Sequence, residues 1–359
     1  MDEIRAGDKR SEVLLAADSP LWRVTLNRPR AINSLSLEMV RDLTRILESA
    51  RKDPACALLV LDGAGDRGFC AGGDIKYMAD CLRRGRKEEA LRFLSGEYRL
   101  DALVHAFPKP IVVLAEGVTM GGGLGLAAGS DIVVAAESTR MAMPESRIGF
   151  FPDVGATGWL HSKCPAGYPE FLGLTGYELR GGQCARLGLA THFLPASRIR
   201  DLLSRLESAA SGDPSCGEGT LEQRIRSVAG SLAQGPEQDP DMDGWVRDYF
   251  AGLEDIGALS ESLRECSTAR DLCRHVFTEL RERSPTALAL TLCLLRRNKG
   301  RDLEEVLRTD LRAADFMLSH PDFLEGVRAR IIDKDQAPRW LPVEIEDTDL
   351  NGLALDPAP

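Results

Sequence analysis

Two carboxylates flank an apolar turn in the stretch MAMPESRIGFFPDVG at residues 141–155. Glu145 lies before, and Asp153 just after, a segment containing Phe150, Phe151 and Pro152. A short way upstream, residues 120–125 read MGGGLG. A glycine run lets backbone N–H groups face a ligand, because no Cβ blocks the approach. Amides beside two carboxylates in an apolar setting are what chemistry at a carbonyl requires. One part holds a developing oxyanion, and the other moves protons or activates water.

The elements that must position these groups read as alternating strands and helices over the first two hundred residues. Trp22–Leu26 is a short strand-like run that ends at Asn27-Arg28-Pro29. Leu35–Ala50 carries Leu35, Met39, Leu43, Ile46 and Leu47 at helical spacing, with Ser36 placed to cap it. Ala57–Leu61, Ile111–Ala115 and Ile132–Ala136 are continuous apolar runs and predict buried strands. The glycine run sits between the last two, and a helix should begin over Leu124–Ala128. Such a strand, loop and helix start has two meanings. The glycines serve close packing of helix on sheet, or their free N–H groups and the helix N-terminus hold negative charge. No Lys-Ser/Thr follows the run, so it is not a Walker loop. Nor does it fit a GxGxxG nucleotide unit, lying past the first hundred residues with no clear acidic partner. A second glycine turn, GFCAGGD at 68–74, contains Cys70. No histidine is near it in sequence, and a small buried thiol is the expected role.

Beyond about Arg200 the character changes. Residues 208–220 and 233–244 are rich in Gly, Pro, Ser and Asp and read as loops between charged helical segments. From Pro285 to Arg330 the chain is mostly amphipathic helix, with Leu303, Val306, Leu307, Leu311, Ala314 and Met317 keeping the 3.6 period.

The chain has 359 residues, enough for one large domain or two ordinary ones. Its 43% hydrophobic and 28% charged content allows a large core. The net charge of −10 argues against broad nucleic-acid binding, and clusters such as Arg83–Lys87 and Arg296–Arg301 read as solvated faces. Nine cysteines without a CxxC pair make a poor disulfide framework, so reduced thiols are expected. Five scattered histidines form no metal-ligand pattern. No run of about eighteen apolar residues predicts a membrane span. The N-terminal MDEIRAGDKR has no apolar signal region, and the C-terminal DPAP is no targeting tripeptide.

Together the motifs resemble the crotonase (enoyl-CoA hydratase/isomerase) superfamily. Four landmarks carry the likeness in family order: NRPRAINSLS from Asn27, GFCAGGDI from Gly68, KPIVVLAEGVTMGGGLGLAAGSDIVVA from Lys109 and MPESRIGFFPDVG from Met143. Within it the chain is most similar to the branch that hydrolyses 3-hydroxyisobutyryl-CoA. Asp153 in FFPDVG, LTGYELRGGQCARLGLATHF from Leu174, SPTAL from Ser284 and DFLEGVRARIIDKDQAPRWLP from Asp322 point there. The resemblance implies an α/β fold, a crotonase-like spiral of ββα units over 11–200. A helical C-terminal region with a variable middle segment (208–270) follows at 201–345, then a tail at 346–359.

By position, the resemblance gives Gly73 and Gly122 the two N–H donors of an oxyanion hole and makes Glu145 the catalytic glutamate. The second glutamate of hydratases falls at Gly125, which has no side chain, whereas Asp153 stands where hydratases have glycine. Glu97, in SGEYRLD, matches a substrate-contacting glutamate, and Arg28 and Lys76 are placed to meet the phosphates of coenzyme A. The implied reaction is hydrolysis of the thioester of 3-hydroxyisobutyryl-CoA or a close 3-hydroxyacyl-CoA. Coenzyme A enters only as part of the substrate, with no metal or other cofactor. The other partners implied are none of nucleic acid or membrane, and a homo-oligomer. The setting is the mitochondrial matrix if the source is eukaryotic and the cytoplasm if bacterial. The rival readings are a hydratase or isomerase, and a non-catalytic subunit of a mitochondrial ribosome. As bland alternatives, Glu97 is a solvated helix residue, Asp153 a helix cap and Glu145 a surface residue.

Overall fold

The computed structural model describes residues 11–216, 218–351, 353 and 355. MDEIRAGDKR, DPAP and part of the 346–359 tail lie outside the described residues. The chain forms two compact units. One takes the chain up to Gly73, then Arg99–Met141 and Leu179–Gln238; the other takes Asp74–Tyr98, Ala142–Glu178 and the chain from Asp239 on.

The first unit is built on the strands β1 (Val13–Ala16), β2 (Leu21–Leu26), β3 (Leu58–Gly63), β4 (Ile111–Ala115), β5 (Val118–Met120), β6 (Ile132–Ala135), β7 (Arg140–Ala142), β8 (Leu179–Arg180) and β9 (His192–Phe193). Six of them form a sheet in the order β1-β2-β3-β4-β6-β9, and β5-β7-β8 form a second. Only β1 and β2 pair antiparallel in the larger sheet; its other neighbours are parallel. The sequence explains this layout. The runs IVVLA in β4 and IVVA in β6 are buried throughout, as parallel strands covered on both faces must be. β2 instead alternates, burying Trp22, Val24 and Leu26.

The expected first helix runs Leu37–Lys52, and Ser36 caps it by accepting the Met39 N–H at 3.0 Å. It buries Met39, Leu43, Ile46 and Leu47, all predicted by spacing. Helices Ile199–Ala210 and Leu221–Leu232 set Leu202, Leu206 and Ile225 into one core with Leu58, Val112 and Ile132 of the sheet. Each such side chain contributes about 1.5–3 kcal/mol through burial.

The second unit is mostly helical, with its longer irregular stretches at 149–155 and 333–344. Helix Pro285–Asn298 is mostly buried and is capped by Ser284, which accepts the Ala287 N–H at 3.0 Å and donates to Asp322 Oδ2 at 2.5 Å. Helix Leu303–Ser319 buries Val306, Leu307, Ala314 and Met317, as the period required. The basic clusters form exposed ion pairs, among them Arg84–Asp80 at 3.0 Å and Lys87–Asp315 at 2.6 Å. Among the described residues, no helix is long and apolar enough to cross a membrane.

Two expectations are corrected. The 233–244 stretch is not all loop, because helix Pro240–Phe250 begins inside it. Asp239 caps that helix by accepting the Met242 N–H at 3.1 Å, and Pro240 occupies its first turn. The composition read as a loop was in part a helix-start signal. The thiols are not all reduced either, since Cys266 and Cys273 form a disulfide. Cys266 ends helix Ile256–Glu265 and Cys273 lies one turn into Arg270–Arg281, with Cα atoms 6.4 Å apart. A hairpin of helices, not a sequence motif, brings them together.

Candidate functional site

In the first unit the two glycine turns meet. Residues 68–70 are zipped to β5, with the Cys70 N–H donating to Val118 O at 3.1 Å and the Met120 N–H to Cys70 O at 3.0 Å. Asn33, from the first landmark, donates through Nδ2 to Gly68 O and Ala64 O at 2.9 and 3.0 Å. The Leu35 N–H reaches Gly72 O at 2.8 Å. A Cβ added to Gly72 would lie 3.3 Å from Gly122 N, and one on Gly123 would lie 2.4 Å from Cys70 O. No larger residue fits that crossing. Gly72 and Gly121, immediately before the two expected donors, adopt φ of +96° and +52°. This backbone is open to glycine and strained for other residues. Among the described residues, neither the Gly73 nor the Gly122 N–H has a backbone acceptor, and Gly122 opens its helix, where an N–H has no partner within the helix. Cys70 is fully buried at this crossing, a packing residue as expected.

In the second unit the carboxylates gather. Glu145 opens a 3-10 turn, Glu145–Ile148, that ends at Gly149 in the left-handed region. A Cβ on Gly149 would strike Asp322 O at 2.4 Å. Phe150 stacks on Phe151 with ring centres 4.6 Å apart, and on its other side meets Phe323 at 5.6 Å. These rings are the apolar turn seen in the sequence, and they anchor the loop between the two acids. Asp153 then precedes Val154 and Gly155, both at positive φ (+51° and +79°). For a β-branched residue such as Val154 this is strained backbone, of order 1–3 kcal/mol.

Neither carboxylate is solvated. Glu145 is 8% exposed, Asp153 7% and Glu97 2%. Glu97 is thus no solvated helix residue. Nor does Asp153 cap the next helix: Gly155 holds that position without a side-chain bond, and Asp153 instead accepts the Tyr98 hydroxyl at 2.8 Å. Glu145 Oε2 is buried with no hydrogen-bond partner among the described residues. Burial, joined by the negative charge of Asp153, holds the Glu145 and Glu97 carboxyls well above the usual range. Burial raises Asp153 as well, to about 6, with the Tyr98 hydrogen bond pulling the other way. The charge of an ionised Asp153 raises the proton affinity of its neighbours further. A carboxyl reluctant to ionise is, once ionised, a stronger base than in water. Carboxyls tuned apart in this way can divide acid and base roles.

Two members of this group carried no sequence signal as site residues. Tyr98 is adjacent to Glu97 in SGEYRLD, and Asp310 lies on the apolar stripe of helix Leu303–Ser319. Asp310 Oδ2 accepts the Gly155 N–H at 2.8 Å, and burial followed by the Asp153 charge raises its carboxyl well above the ordinary range. A carboxylate on a buried stripe is the pattern that marks it. The expected phosphate contacts differ from each other. Arg28 is engaged inside the first unit, its Nε 3.1 Å from Glu12 and its Nη1 donating to Ser34 O at 2.7 Å. Lys76 is exposed on the first turn of helix Ile75–Arg83 in the second unit.

Comparison with known proteins adds the relatives. The family model for enoyl-CoA hydratase/isomerase matches residues 21–353. The 3-hydroxyisobutyryl-CoA hydrolase, mitochondrial, of Mus musculus is 35% identical over 95% of this chain and 88% of its own length. The protein of the same name from Gallus gallus is 32% identical over 95% of this chain and 87% of its own. Among solved structures, an enoyl-CoA hydratase from Rhodobacter sphaeroides superposes with a TM-score of 0.83 at 33% identity, covering 96% of each chain.

Proposed function

The chain belongs to the enoyl-CoA hydratase/isomerase family, and on that premise we propose that it is an acyl-CoA thioester hydrolase acting on 3-hydroxyisobutyryl-CoA, or a close 3-hydroxyacyl-CoA, to give the free acid and CoA. Relatives named for that activity align over nearly the whole chain. The observation that carries the reading is the buried pairing of Glu145 with Asp153, in a chain whose residue 125 is glycine. A hydratase needs an acid and a base across a Cα–Cβ bond, and the second hydratase carboxylate has no counterpart at Gly125.

In this mechanism the N–H groups of Gly73 and Gly122 receive the thioester oxygen as it gains charge. Removing one such donor typically costs about 3 kcal/mol of barrier. Glu145 either takes a proton from the attacking water or attacks the carbonyl to form an anhydride that water then opens. Its raised proton affinity suits the base, since an ionised Glu145 holds a proton more tightly than a carboxylate in water. Asp153 holds the hydroxyl of the acyl group and assists delivery to the departing sulfur of the proton that Glu145 takes from water. The thiolate leaves readily, its pKa being near that of cysteine at about 8.5. Glu97 contacts the acyl group, and Lys76 and Arg28 serve the CoA phosphates, Arg28 only if it releases Glu12. No cofactor beyond the substrate's own CoA takes part. The mitochondrial matrix is the proposed setting for a eukaryotic source, with self-association into a homo-oligomer.

The test is a screen of acyl-CoA esters with thiol detection, run beside an assay for loss of enoyl absorbance. Thiol release greatest on 3-hydroxyisobutyryl-CoA is expected, and Glu145→Gln should abolish it while CoA binding persists. Normal kcat in that variant would remove Glu145 from the chemistry. Loss of enoyl absorbance without thiol release would move the chain to the hydratases.

A further inference from the structure

The turn that carries Asp153 is poorly suited to holding itself. Val154 is β-branched at φ +51°, and Gly155 follows at +79°. Gly155 is also the cap residue of helix Ala156–Lys163, where a backbone N–H has no partner within the helix. Three bonds fix this strained bend from within the second unit. Trp159 Nε1 donates to Val154 O at 3.0 Å, the Ala156 N–H to Asp153 O at 2.8 Å, and the Gly155 N–H to Asp310 Oδ2 at 2.8 Å.

The last of these is the unexpected one. Asp310 is fully buried on the stripe of helix Leu303–Ser319 that otherwise packs Val306, Leu307 and Met317. Its Oδ1 has no hydrogen-bond partner among the described residues. Burying a half-satisfied carboxyl is unfavourable, and a leucine there would pack without that penalty. What leucine cannot supply is an acceptor for the Gly155 N–H.

We infer that Asp310 is a positioning residue of the reaction, holding the 153–155 turn so that the Asp153 carboxylate stays buried beside Tyr98 and Glu145. This rests on the proposed thioester hydrolysis for its activity readout but not for its structural one. Burial raises Asp153 and the Tyr98 hydroxyl bonded to it lowers it, while the Asp153 charge in turn acts on Tyr98, Glu97, Glu145 and Asp310. Burial, and after it the Asp153 charge, favours the neutral form of Asp310. Asparagine reproduces that form, acceptor included, and leucine removes it at similar volume.

The experiment compares Asp310→Leu with Asp310→Asn, each checked by thermal melting. Steady-state thiol release is measured together with amide exchange at Gly155. Leucine should lower kcat about 30-fold with KM changed less than about threefold, the size of loss that misplacing a catalytic group produces. It should also speed Gly155 exchange at least about 100-fold and move the acidic limb of the pH profile downward, as Asp153 becomes more solvated. Asparagine should keep kcat within about threefold and retain the Gly155 protection. Unchanged protection in the leucine variant, lost protection with kcat intact, or an asparagine variant as impaired as leucine would each overturn the assignment. A wild-type chain inert on every acyl-CoA would sink the hydrolase reading, while Gly155 exchange would still decide the tether.

Discussion

Replacing Asp153 with asparagine should make the protein more stable and catalytically dead, and the gain should depend on pH in a defined direction. Asp153 is raised from 3.8 to about 6, so the folded state holds its proton more tightly than the unfolded chain. Between those two values the folded state binds more protons, and stability is lost as pH rises through about 6. Above that pH the native protein carries a carboxylate in a place that disfavours it. The gap amounts to about 3 kcal/mol at pH 8 and about 1 kcal/mol at pH 4.5. Asparagine resembles the protonated acid in shape and can still accept the Tyr98 hydroxyl now 2.8 Å from Oδ2. Its stabilisation over wild type should therefore approach those figures. Relief of Glu145 and Glu97 from a neighbouring charge adds in the same direction. Urea unfolding of both proteins at the two pH values measures the difference, with thiol release assayed on the same samples. A variant no more stable than wild type at pH 8, or stabilised equally at both pH values, would refute the electrostatic reading of the site. Stabilisation with full hydrolysis would refute the catalytic one.

Tyr98→Phe removes the donor that pulls the Asp153 pKa down, so carbon-13 titration of that carboxyl should move above about 6. Gly123→Ala should lower both stability and kcat, because the added Cβ meets Cys70 O at 2.4 Å and pushes the two glycine turns apart. Overpacking of this kind costs about 1–3 kcal/mol, read as a fall in Tm. Gly149→Ala should also destabilise, since its Cβ would strike Asp322 O at 2.4 Å from a left-handed backbone. A Tm within a degree of wild type would show that this bend is looser than described. Lys76→Ala should raise KM for the acyl-CoA but leave kcat in place; an unchanged KM would free Lys76 from the phosphate role.

What the sequence made legible follows from how each feature is encoded. The central strands β3, β4 and β6 announce themselves as unbroken apolar runs, since both faces are covered. Ser36 and the 3.6 period fix the first helix locally. The glycine turns were visible because close approach to a neighbouring backbone excludes any side chain, as Gly123 against Cys70 shows. Helix Pro240–Phe250 was missed because Asp, Pro and Gly are at once loop formers and helix starters. The Cys266–Cys273 bridge was missed because its spacing depends on a turn between two helices.

The acids divide along the same line. Glu145 and Asp153 stand on a short segment whose apolar and glycine neighbours mark a special bend, and so local sequence exposes them. Glu97 needed the family likeness, and Tyr98 and Asp310 were not singled out at all. Each of these three sits in a helix that looks ordinary, and acquires meaning only when folding sets it beside Asp153, from as far as 155 positions away in the case of Asp310 and Gly155. The proton affinity of a carboxyl in this group is thus a property of tertiary packing. Local sequence can nominate the acids, but which one ionises first is decided by burial, by the Tyr98 hydroxyl and by the mutual repulsion of charges drawn from three separate stretches of chain.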